Sequence, residues 1–185
     1  MSFTQFFQQL MNGFSLGSLY ALLAIGYTLV YGILSLINFA HSDVFMLGTY
    51  FAFYMIAIFL LPWWLSVIIS VVLCAIVGMT IERVAYRPLR SAPRISALIT
   101  AVGVSYFLEN LGLVVLGARP KGFPRPDLMK NVYVIAGAKI QGVSFWVPII
   151  SIGILMVLLY IVYKTKVGMA MRAVAKDMET TRLMG

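Results

Sequence analysis

Cysteine and histidine each occur once in this chain, as Cys74 and His41, and only six residues are acidic. The lone thiol excludes an intramolecular disulfide, and its apolar neighbours suit a small packed residue. One histidine with no cysteine partner cannot build an ordinary zinc site. HExxH, GxSxG and Walker A sequences are missing as well, which excludes metalloprotease, esterase and ATPase chemistry by those routes. No selectivity filter of the TVGYG type is present. The opening "MSFTQFFQQLMNG" has no basic n-region, and no small-x-small site follows it at a suitable distance, which argues against a cleavable signal peptide.

Charge of either sign is scarce. Charged residues make up 11% of the chain, hydrophobic ones 62%, and mean hydropathy is +0.96. Several apolar windows reach the roughly 20 residues that a helix needs to cross the hydrocarbon core. The expected fold is therefore all-α, a polytopic transmembrane helical bundle forming one domain over residues 1–185. Five spans are expected: Asn12–Leu34, Phe39–Leu61, Trp63–Ile81, Ser96–Leu116 and Phe145–Tyr163. Pro62 separates the second from the third, and Trp63 and Trp64 suit an interfacial anchor.

The net charge of +8 is distributed over loops, which speaks for a membrane topology and against nucleic acid as a partner. Arg83, Arg87, Arg90 and Arg94 crowd the 82–95 loop. Lys164, Lys166, Arg172, Lys176 and Arg182 lie in the 164–185 tail. Both segments are expected to be cytoplasmic, with the N-terminus outside and the C-terminus inside. The 117–144 loop then falls outside, although it carries Arg119, Lys121, Arg125, Lys130 and Lys139. Its prolines and glycines read as irregular chain with a short strand at "VYVIAG".

Small residues recur every fourth position in the first span (Gly13, Gly17, Ala21) and the third (Ser66, Ser70, Cys74, Gly78), a pattern for close helix packing. In the fourth span Ala101, Ser105, Glu109 and Gly112 share a face. Glu109 is either an intramembrane functional carboxylate or a hydrogen-bonded group near the outer interface, with Asn110 beside it. The segment "NFAHSD" poses the same choice. Asn38 suits an N-cap, which puts His41 at the third helical position, and Asp43 suits the positive end of the helix dipole. Asp43 points about 140° away from Asn38 at 100° per residue, off the face of His41, so a His–Asp catalytic pair is not expected. A capped start at the cytoplasmic edge and a helix broken at depth both remain open.

"GYTLVYGILSLINFAHSDVFMLGTY" closely resembles the signature of the permeases of branched-chain amino-acid ABC importers. "ERVAYRPLR", "LITAVGVSYFLENLGLVVLG" and "GMAMRAVAKDMETTRLMG" extend the resemblance in order over most of the chain. Ser42 and Asp43 stand where the family usually has Gly-Glu. The resemblance implies import of leucine, isoleucine and valine, with urea or short-chain amides as the alternative cargo. It implies a second related permease subunit, two ATPase subunits holding ATP and Mg, and an extracytoplasmic amino-acid-binding protein. This chain itself would hold no cofactor and would not be an enzyme. Asn38, His41, Ser42 and Glu109 are then expected along the substrate path. Gly168, Arg172, Ala173, Ala175 and Asp177 are expected to contact the ATPase through a coupling helix. Without the resemblance, the same basic, alanine-rich segment would suit a helix lying on anionic lipid. The family continues to further spans, so a truncated chain or fragment is expected. Two rival classes are a proton-coupled carrier using Glu109 and a non-transporting assembly subunit.

Overall fold

The computed structural model describes residues 3–34, 37–89, 92–124, 126–135 and 138–176. The helices are α1 (Phe3–Leu34), α2 (His41–Ala57), α3 (Trp63–Ile81), α4 (Arg94–Leu116), the single turn α5 (Asp127–Lys130), α6 (Gly142–Lys164) and α7 (Lys166–Lys176). A π-helical stretch, Glu82–Tyr86, and a 3₁₀ turn, Arg87–Leu89, continue α3. The expected loop at 82–95 is thus helical over most of its length. The strand expected at "VYVIAG" is β1 (Val132–Ile135), and it pairs antiparallel with β2 (Ala138–Gln141), which the sequence reading missed.

Among the described residues, four helical segments are long and apolar enough to cross a membrane: Thr4–Ile33, Trp63–Leu89, Ile95–Leu116 and Gly142–Lys164. The chain is a multi-pass helical membrane protein. The second expected span is shorter than anticipated. Its helix starts at His41 rather than Phe39 and stops at Ala57 rather than Leu61. The cause of the early stop is local. Leu60 sits in the left-handed region (φ 53°), and Pro62 follows, which disfavours helical backbone at the residue before it. Seventeen residues give a rod of about 25 Å against a hydrocarbon core of about 30 Å.

The chain divides into two compact units, residues 1–35 with 125–185, and residues 36–124. In the first unit α1 packs on α6, the β1–β2 hairpin on both, and α7 on α6 and α1. The α6 face that turns inward carries Ser144, Pro148 and Ser151, all buried. The Ser144 hydroxyl donates to Asn12 Oδ1 at 2.8 Å, joining α6 to α1. On α1 the buried residue is Ser15; Gly13 and Gly17 face open space, with nothing within 4 Å of where a Cβ would stand. Among the described residues of this unit, Gly13 and Gly17 of the ladder expected to pack α1 therefore meet no close neighbour.

In the second unit α2 packs on α3 and on α4. Here the ladder expectation holds at Ser66, Ser70 and Cys74, whereas Gly78 has nothing within 4 Å of where a Cβ would stand. Ser66 and Ser70 are buried, and a Cβ added at Gly48 of α2 would lie 2.8 Å from Cys74 Sγ. The serine hydroxyls bond back to their own helix, Ser70 Oγ to Ser66 O at 2.7 Å and Ser66 Oγ to Pro62 O at 3.1 Å, so their burial leaves no polar atom unpartnered. Ala40, Leu47 and Leu108 form the apolar core, with Val44, Val77, Ile81 and Val104 against it. Outward positions are large and apolar, with Val114 84% exposed and Ile99 63%. Small residues inside and bulky apolar ones outside suit lipid as the solvent, since lipid offers no drive to bury leucine and close packing supplies the adhesion.

Candidate functional site

The junction where α2 begins gathers side chains from three elements of the second unit. Regular helix starts at His41, and Asn38 lies in the turn ahead of it. The Asn38 Oδ1 accepts the Ala40 N–H at 3.1 Å, and the Asn38 carbonyl accepts the His41 N–H at 3.3 Å. Asn38 therefore caps the lead-in turn rather than α2 itself, and His41 is the first helical residue rather than the third. The same Oδ1 also accepts the hydroxyl of Tyr86 at 2.8 Å. Tyr86 is the last residue of the π-helical stretch and is buried. A π turn widens the helix by one residue, so each side chain after it is rotated from its α-helical direction. That rotation belongs to the segment that brings Tyr86 onto Asn38.

One turn further on, Asp43 accepts a 2.5 Å hydrogen bond from the Ser105 hydroxyl of α4. Ser105 stands midway along α4, about 16 Å from Arg94 at 1.5 Å per residue. The first turn of α2 therefore lies beside the middle of a membrane-length helix, and not beside its end. A carboxylate at such a level needs donors, and the serine supplies one. Asp43 is thereby turned towards α4. His41 is half-buried, and Ser42 is exposed with its hydroxyl donating to the Phe39 carbonyl at 3.4 Å.

Glu109 does not join this junction. The buried positions of α4 are Ala97, Ala101, Leu108 and Gly112. At 100° per residue Glu109 lies about 90° from the centre of that face, and it is exposed. Four-residue spacing from Ser105 had put it on the inner face, but each such step drifts about 40°, and two steps from Ala101 carry it off the contact. Neighbouring Asn110 bonds its own helix at the Tyr106 carbonyl, 2.7 Å away.

The residues expected to meet an ATPase lie on α7, in the first unit. Thr165 caps this helix: its hydroxyl accepts the Gly168 N–H at 3.1 Å and its carbonyl accepts the Met169 N–H at 3.0 Å. Gly168 is buried in the corner between α6 and α7, where a Cβ would collide with the carbonyls of Ile161 and Val162. Ala173 and Ala175 are exposed, and the exposed Arg172 guanidinium stacks 5.5 Å from the centre of the Tyr163 ring. Asp177 lies outside the described residues. Sequence reasoning missed Tyr86 and Thr165, and it named Ser105 only as part of the α4 face and not as the partner of Asp43. Only Thr165 carried a local signal, as a threonine between two helical stretches with a glycine three residues on.

Three relatives resemble the chain closely. The high-affinity branched-chain amino acid transport system permease protein LivH of Escherichia coli K12 is 38% identical, over 99% of this chain and 63% of the relative. LivH of Salmonella typhimurium is 37% identical over the same shares. BraD of Pseudomonas aeruginosa, a permease protein of the same description, is 36% identical over 97% of this chain and 62% of its own length. The chain thus spans a little over three-fifths of these relatives. No solved structure matches it. The family profile described as the permease component of branched-chain amino acid transport systems matches residues 9–185, and the chain belongs to that family.

Proposed function

We propose that the chain forms part of the translocation path of an ATP-driven importer for leucine, isoleucine and valine in a bacterial inner membrane. The observation that carries this reading is the polar junction at the start of α2. It falls within the segment bearing the family resemblance, and its Asp43–Ser105 bond sits midway along α4. Polar groups held at that level between packed helices suit a path for a zwitterion better than a seam against lipid. Asn38, His41 and Ser42 are the path residues of this reading. Glu109, on the outer flank of α4, faces a neighbouring helix or lipid.

In the same reading the chain crosses the membrane five times, with the N-terminus outside. The short α2 makes one of these crossings. A related permease subunit pairs with it, and an extracytoplasmic protein delivers the amino acid. Two ATPase subunits hold ATP and Mg and supply the energy, and this chain does not hydrolyse ATP. The ATPases dock on α7, whose rigid corner at Gly168 passes their movement to α6.

Radiolabelled leucine uptake tests the proposal. Cells lacking other leucine importers are compared with and without the gene, under ATP depletion and, separately, with a protonophore at maintained ATP. Uptake that needs the gene and ATP but resists the protonophore is the expected result. Uptake unchanged by deletion refutes the reading, and collapse under the protonophore alone points to a proton-coupled carrier. His41→Ala is expected to reduce uptake at unchanged membrane abundance. Excess urea is expected not to compete.

A further inference from the structure

The last turns of α2 carry an aromatic cluster that the path does not use. Lys121, in the segment after α4, lays its ammonium against three rings of α2. It lies 4.5 Å from the centre of Tyr54 and 5.6 Å from the centres of Tyr50 and Phe53. The same nitrogen donates to the Tyr54 hydroxyl, and to the Leu116 carbonyl at 2.7 Å. Every one of these partners is neutral. Ring faces within about 6 Å attract a cation through their quadrupole, and the two oxygens take two of the three N–H bonds that an ammonium offers. The lysine is exposed while the three rings are half-buried. The box is therefore built from α2 and the last carbonyl of α4, and its occupant enters from the open side on a flexible stem.

We propose that this box is a binding site for primary ammonium groups, occupied in this structure by Lys121 as a tethered ligand. A free ammonium compound takes the same place when the 117–124 segment lifts. The rings supply selectivity for positive charge, and the two oxygens select N–H donors over quaternary cations. A tethered lysine competes at an effective concentration in the millimolar range, so a free ammonium compound displaces it only at high concentration. An amino acid's α-ammonium is the natural source under the transport reading, and the proposal rests on that reading for the ligand's identity alone.

The test uses the purified chain in detergent, labelled with 3-fluorotyrosine and titrated with n-propylammonium. The Tyr50 signal, assigned by its loss in Tyr50→Phe, is the reporter. Lys121→Ala and Lys121→Gln are expected to show a saturable shift with an affinity about tenfold above that of the unsubstituted chain. Adding Tyr54→Phe to Lys121→Ala is expected to weaken it. No saturable shift in variants that keep the chain's helical spectrum and elution volume overturns the proposal, as does equal affinity with and without Lys121. Leucine in place of propylammonium separates the sources: a matching shift assigns the site to amino acids, and none assigns it to simple amines. Binding here needs no transport, so a failure of leucine uptake leaves this result standing, and the reverse.

Discussion

Replacing Tyr86 by phenylalanine removes one hydroxyl and almost no volume, which makes it a clean probe of the junction. The lost bond is the 2.8 Å donation to Asn38 Oδ1. That oxygen keeps the Ala40 N–H at 3.1 Å, so no buried acceptor is left empty. The loss should then be the net worth of one neutral hydrogen bond, about 0.5–1.5 kcal/mol in general. Between membrane helices such bonds average about 0.6 kcal/mol and rarely exceed about 1.7. The expected cost of Tyr86→Phe is about 1 kcal/mol, roughly a fivefold change in the unfolding equilibrium. Asn38→Ala should cost more, about 2 kcal/mol, because it strands both the tyrosine hydroxyl and a backbone N–H. Reversible unfolding in mixed detergent micelles measures both, and the double variant closes a cycle. A coupling of about 0.5–1.5 kcal/mol is expected. Additive costs would mean that the two groups do not interact, and the link between the π-helical stretch and the start of α2 would fall with them.

Ser105→Ala should destabilise more than Tyr86→Phe, by about 1.5–3 kcal/mol, because it strips a donor from a carboxylate at mid-depth; Asp43→Asn, measured by the same unfolding assay, should recover part of that loss in the double variant. Gly48→Ala would push a methyl to within 2.8 Å of Cys74 Sγ, at an expected cost of about 1–3 kcal/mol from overpacking, and Cys74→Ala in the same chain should restore most of it. Thr165→Val keeps the shape of the α6–α7 corner but removes the acceptor for the Gly168 N–H. It should cost about 1 kcal/mol and appear as faster hydrogen exchange at Gly168 and Met169, with Thr165→Ser behaving as the unsubstituted chain.

The class of fold was legible because membrane spans announce themselves in single residues. Scarce charge and long apolar runs needed no knowledge of tertiary contact, and α3, α4 and α6 lie where those runs lie, while α1 begins at Phe3 rather than at the expected Asn12. Helix ends were less legible. Pro62 marked the end of α2 within a few residues, but only the backbone showed that the helix unwinds before Leu60. The hairpin was half legible, since β1 is rich in β-branched residues while β2, Ala138–Gln141, has no strand composition of its own and forms by pairing.

The candidate site divides along the same line. Asn38 and Asp43 stood out because they are polar in an apolar stretch, and their own sequence neighbourhood was enough to flag them. Their partners are 48 and 62 positions away, respectively, and each partner is unremarkable locally. A tyrosine in a basic turn and a serine in an apolar helix have many uses. The π-helical stretch is the harder case, because an extra residue in a helical turn has no composition signal and shifts every later side chain. The small-residue ladders carry the converse lesson. The ladders on α1 and α3 look alike in sequence, yet Cys74 meets Gly48 whereas Gly13 and Gly17 meet nothing among the described residues of their own unit. Spacing states that a close approach is possible. Which helix comes close depends on groups that must be satisfied, and on the π-helical stretch after α3 and on α4 those groups are the Tyr86 and Ser105 hydroxyls that fasten the start of α2.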